Sequence, residues 1–243
     1  MSRAFPLVGK TRRARKAMHW KSDAAITHQY PNKGRLGIAL SALCLGMLFA
    51  VVVAVLQGNP ANFIPVGPQD ELRVRMLRLA QVAFIALPLL TLLYERLMAS
   101  APRDSRLARW GRAAMIGGMI GMPAILTLAS LTRAEFKFLL PFPAVATFAG
   151  TSCGAWLARR QGRPLEWWGW LLIALSMAAG LLMGLYAFDG PLPPPVFIGA
   201  YNDLVRRVIR LTHAYTIVTG FISILISRAL AELDGHARVS FWR

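Results

Sequence analysis

Two stretches of this chain carry cations into segments that are otherwise apolar. Glu71 to Gln81 and Asp203 to His213 share one pattern: an acid, then Leu, then arginines at three-residue steps, ending on a polar side chain. Arg75, Arg78 and Gln81 fall on one helical face, as do Arg207, Arg210 and His213. Guanidinium forks suit phosphate or carboxylate, so Arg75, Arg78, Arg207 and Arg210 form a candidate anion- or lipid-binding set. If the two helices lie side by side at their outer ends, the four cations converge, and an anion is needed to offset their repulsion. A plainer role competes with this one. Glu71 with Arg75, and Asp203 with Arg207, are acid-first pairs four apart that support a helix start. The other arginines reach the outer headgroups by extending along the helix.

His213 and Tyr215, with Gln81 at the matching position, suggest contact with a quinone headgroup or haem. Histidine would ligate iron while the arginines meet the propionates. His213 is the one histidine within an apolar segment, and Gln81 is not a usual iron ligand, so a bis-histidine haem is not expected. The chain has no His-x-x-x-His, Cys-x-x-Cys, carboxylate cluster or Gly-rich phosphate loop. No metal site or catalytic residue is assigned, and no cofactor is required. Glu95, Glu166, Asp189 and Glu232 stand at segment ends, whereas a proton-coupled pump usually keeps an ionisable group in mid-membrane.

Composition dictates what must hold these residues. The 243 residues are 56% hydrophobic and 16% charged, with a mean hydropathy of +0.46, too apolar and too weakly charged for an ordinary soluble domain. Apolar runs lie near 36–56, 77–97, 113–131, 138–158, 168–188 and 208–228, each close to the roughly 20 residues a bilayer demands. No alternating pattern suggests membrane strands. The expected fold is an all-α, polytopic bundle of about six transmembrane helices. A basic segment (1–35) precedes the transmembrane domain (36–230), and a short tail (231–243) follows.

The net charge of +17 would suggest nucleic acid in a soluble protein. Here it follows the rule that Lys and Arg gather in cytoplasmic loops. With both termini in the cytoplasm, 20 of the 28 positives fall inside and 8 outside. All seven tryptophans (Trp20, Trp110, Trp156, Trp167, Trp168, Trp170 and Trp242) fall at or beyond the inner ends, as an interfacial belt would. The pattern suits a bacterial inner membrane. Residues 1–35 do not read as a signal peptide. Their charge sets topology or rests on anionic lipid, and nucleic-acid binding is disfavoured because stacking aromatics are sparse.

Cys44 and Cys153 read as small buried hydrophobes. Small residues recur every four positions at Ala42, Gly46, Ala50 and Ala54; at Gly117 and Gly121; at Ala146, Gly150 and Gly154; and at Gly180 and Gly184. That spacing lets helix backbones approach closely, within the chain or with partner membrane proteins or a second copy. Pro88 and Pro123 interrupt segments, and Pro141 and Pro143 open another. Residues 57–70 and 189–202 read as stiff, extended Pro/Gly-rich connectors. Each leads into one of the matching arginine stretches, which allows a duplicated hairpin. Two functions remain: a non-catalytic membrane subunit or binding protein that assembles with other membrane components, or a small carrier or redox-linked component with an outward-facing anion site.

Overall fold

The computed structural model describes residues 33–58, 68–101, 105–186, 192–193, 195–198 and 203–241. Six α-helices appear: α1 (Lys33–Gly58), α2 (Pro68–Ala99), α3 (Arg106–Leu131), α4 (Pro141–Arg160), α5 (Pro164–Gly184) and α6 (Leu204–Phe241). A 3-10 turn, Ala134–Leu139, links α3 to α4. No strand occurs among the described residues. Five spans are long and apolar enough to cross a membrane: Leu72–Ala99, Arg106–Leu131, Ala134–Arg160, Pro164–Gly184 and Leu204–Leu233. Within α1 the apolar stretch found among the described residues is shorter, Leu40–Phe49. The protein is an all-helical, multi-pass membrane protein.

Helix ends depart from the apolar runs where polar residues continue the helix. α2 starts at Pro68, so 68–70 are helical rather than extended; proline suits a helix start because its missing N–H would be unpaired there anyway. α6 runs to Phe241, through the residues read as a tail. Of the last outer connector, Pro195 to Ile198 forms a turn in which Ile198 N–H donates to the Pro195 carbonyl at 2.9 Å. Most of both connectors, the basic segment up to residue 32 and Trp242 lie outside the described residues.

The turn between α4 and α5 is tight. Gly162 takes a left-handed φ of 67°. Gly162 N–H donates to the Arg159 carbonyl at 3.1 Å and Arg163 N–H to the Ala158 carbonyl at 3.2 Å. This is the Schellman pattern, which closes orphaned carbonyls at a helix end. Pro164 then opens α5. At the start of α3, Ser105 Oγ accepts from Ala108 N–H at 3.3 Å and caps the helix.

Each helix packs chiefly on its neighbours in sequence: α1 on α2, α2 on α3, and so on to α6. The row bends, because Trp170 of α5 meets Tyr94 of α2 edge-on, with ring centroids 5.8 Å apart. Trp170 is fully buried, with Gly154 of α4 against its ring. It is therefore a core residue, a correction to its place in the interfacial belt. Trp110, Trp156 and Trp168 are exposed at that level.

Close backbone approach decides the joints, since lipid is as apolar as leucine and only packing and polar contacts drive helices together. Pro88 has no N–H to give the Phe84 carbonyl one turn earlier. Gly46 of α1 sits over that carbonyl, where an added Cβ would overlap the oxygen. Gly169 of α5 and Gly220 of α6 meet reciprocally: a Cβ on either would lie 2.7 Å from the other's carbonyl oxygen. Gly117 and Gly184, expected in such contacts, face open space. Cys44 is exposed and Cys153 is half-buried, and both are free thiols, so neither is the fully buried small residue expected.

Candidate functional site

The structure distributes the expected site residues rather than gathering them. α2 and α6 are not among the closely packed helix pairs. Arg75 and Arg210 are half-buried, while Arg78 and Arg207 are exposed. At the same end, Arg73 donates to the carbonyl of Thr132, just past α3, at 3.3 Å. Arg206 donates to the Tyr186 carbonyl at 3.3 Å and lies 5.5 Å from the Tyr186 ring centroid. The side chain of Glu71 lies outside the described residues; Asp203 accepts Arg207 N–H through its backbone carbonyl at 3.0 Å. Arg73 and Arg206 thus anchor helix ends to nearby backbone.

His213 parts company with Tyr215 and Gln81. Its ring turns into the α5–α6 joint and lies over Gly180, where an added Cβ would sit 3.0 Å from Cε1. Tyr215 is 68% exposed on another face of α6. Gln81 is half-buried on α2. The partner His213 has is Ser176, which the sequence reading missed. Ser176 Oγ is 2.8 Å from His213 Nδ1 and 2.8 Å from the His213 carbonyl oxygen. One hydroxyl has one proton. Both contacts are satisfied only if Ser176 donates to the carbonyl and accepts from Nδ1–H, which leaves Nε2 as the acceptor in the neutral ring.

The strongest polar constructions stand at the opposite, basic end. Glu95 of α2 is 5% exposed and takes both arms of Arg112 of α3, Nε to Oε1 at 2.6 Å and Nη2 to Oε2 at 3.0 Å. Glu166 of α5 is fully buried and is held by Arg228 of α6 at 2.5 Å and by Arg163 at 3.1 Å. Each carboxylate clasps one helix to the next. The forked Glu95–Arg112 geometry is the strong form of such a pair. Arg159 and Arg160 rest on the Trp167 and Trp156 rings, 5.6 Å and 5.2 Å from the centroids.

No protein family, no curated protein and no solved structure matches this chain. Function must come from its own geometry. Among the described residues, no group of three or more His, Cys, Asp or Glu is placed to hold a metal ion.

That geometry directs attention to α6. Its most apolar window is 11% buried, against 50% for α2. His213, Gly220, Ile224 and Arg228, which recur at steps of four or seven, form the seam toward α5. About a quarter-turn away, at 100° per residue, Thr212, Thr216, Thr219 and Ser223 form a line of hydroxyls. Thr212 and Thr219 are exposed, and Thr216 and Ser223 are half-exposed. Thr216 donates to the Thr212 carbonyl at 2.7 Å and Ser223 to the Thr219 carbonyl at 2.8 Å. Their oxygens keep acceptor capacity, and their small size leaves the helix backbone approachable.

Proposed function

We propose that the protein is a non-catalytic membrane subunit that assembles with another membrane protein through the hydroxyl flank of α6, in a bacterial inner membrane. The observation that carries this reading is the hydroxyl line on a helix packed along one seam. Lipid offers hydroxyls nothing, whereas small and hydroxylated residues are the usual contact surface between membrane helices. The opposite face, with Leu211, Tyr215, Val218 and Ile222 exposed, is apolar and suits lipid. The flank and the apolar face are separate surfaces of one helix, so they can be tested side by side. A photoreactive residue at position 219 is expected to capture a protein of one defined mass in native membranes, and one at position 218 is expected to capture lipid. Orientation follows from the charge distribution: reporter fusions after residues 104 and 162 should read cytoplasm, and after 134 and 194 outside.

A second reading rests on His213. Ser176 presents Nε2 as an acceptor in the outer half of the α5–α6 joint, which suits the hydroxyl of a reduced quinone or an axial bond to haem. An absorption spectrum of the purified chain tests it. A Soret band lost in His213→Ala would put the redox reading first.

A further inference from the structure

The α3–α4 joint opens into a groove of about 380 Å³ lined by Leu107, Ser152, Cys153 and Trp156. It lies at the basic end, where α3 begins and α4 ends. The groove exists because the two helices meet closely beside it: a Cβ added at Gly111 would lie 2.6 Å from Cys153 Cβ. Leu107 and Trp156 stand as partly exposed walls on either side. One turn beyond Trp156, toward the end of α4, the Arg160 guanidinium sits over the Trp156 ring. Arg160 differs from Arg112, Arg163 and Arg228, each of which holds a carboxylate. No carboxylate among the described residues pairs with Arg160. Arg106 and Arg109, both exposed, add positive charge in the first turn of α3.

We propose that this groove binds one anionic phospholipid of the cytoplasmic leaflet, an acyl chain lying against Leu107, Ser152, Cys153 and Trp156 and the phosphate meeting Arg160. Three features commit it to a lipid. It is an open groove with mostly apolar walls, a form that suits an acyl chain lying against it from the bilayer. Tryptophan at its mouth marks the headgroup level. The cation stands one turn nearer the aqueous side than the apolar wall, the order in which a phospholipid presents phosphate and chain. Guanidinium suits the phosphate oxygens bidentately, and nearby basic residues strengthen attraction to anionic headgroups.

Native mass spectrometry of the full chain, titrated with dioleoylphosphatidylglycerol or dioleoylphosphatidylcholine, tests the site. The unaltered chain is expected to retain one equivalent of the anionic lipid at a roughly five- to tenfold lower concentration than the zwitterionic one. Arg160→Gln, a surface change that leaves the joint intact, should sharply reduce that preference while a lipid is still retained. Ser152→Trp fills the groove and should lose the high-affinity equivalent of both lipids, with helix content checked by circular dichroism. Should Ser152→Trp fail to fold, the Arg160→Gln comparison decides alone. Equal retention of the two lipids by the unaltered chain overturns the proposal, as does an undiminished preference in Arg160→Gln. So does a chain dimer that folded Ser152→Trp abolishes, since the groove would then hold a second copy.

Discussion

The two ends of the bundle use arginine in opposite ways. At the basic end, Glu95 and Glu166 are buried carboxylates, and each draws an arginine from the next helix across a joint. At the other end, Arg73 and Arg206 bond to backbone carbonyls near their own level, and α2 and α6 are not among the closely packed helix pairs. An arginine becomes part of the architecture when a neighbouring helix buries a carboxylate within its reach. Without one it anchors the helix end it belongs to. The carboxylate clasps therefore stand at one end of the bundle, beside close glycine contacts such as Gly169 on Gly220.

Breaking a clasp should produce the largest effect. Glu166→Ala leaves Arg228 and Arg163 facing a site with no counter-charge, and removing one partner of a buried pair costs about 3–5 kcal/mol. The melting temperature in detergent should fall sharply and take the α5–α6 joint with it. Arg163→Ala should cost much less, because Arg163 is 36% exposed and Arg228 still holds the carboxylate.

A methyl or more at the glycine crossing comes next. Gly220→Val pushes α6 off the Gly169 carbonyl, and overpacking of this kind costs typically about 1–3 kcal/mol. Gly117→Val, facing open space, should barely move the melting temperature. If both variants melt alike, the α5–α6 crossing is not where the structure puts it.

A smaller loss is expected for Ser176→Ala. It removes the hydroxyl that bridges Nδ1 and the carbonyl of His213, about 1 kcal/mol for a bond of this type. The imidazole nitrogen shifts in an NMR spectrum of labelled histidine should change, because nothing then fixes the Nδ1–H form. Unchanged shifts would mean the ring is oriented by something else.

The smallest effect separates the arginines of α2 and α6. Arg78→Gln and Arg210→Gln should add within about 0.3–0.5 kcal/mol, as distant sites do. A larger coupling in melting temperature, present only with anionic lipid, would restore a shared anion site at that end.

Much of this architecture is legible in the sequence, because hydropathy alone sets where a chain must be helical in a bilayer. The apolar runs mark the helices, and the small residues at Gly46, Gly150 and Gly154 do mark joints. What escapes is anything that depends on which helix lies beside which. Glu95 and Arg112 are seventeen residues apart, and Glu166 and Arg228 sixty-two; no local pattern joins them. A signal was present in each case, an acid at the basic end of one span and an arginine at the same level of the next. Ser176, a polar residue in an apolar run, was a similar clue to a partner for His213. Trp170 shows the same limit. It stands two residues from Trp168 in the same helix, and only the helical phase tells the buried ring from the exposed one.

Assembly through the hydroxyl flank of α6 can be tested at neighbouring positions on that helix. A photoreactive side chain at Thr219 or at Val218 differs in direction by one residue and in little else, since both are exposed at one depth. Irradiated in native membranes, the Thr219 probe should yield a single protein adduct of defined mass, while the Val218 probe yields lipid adducts. Lipid adducts alone at both positions, or the same protein adduct at both, would contradict assembly through this flank.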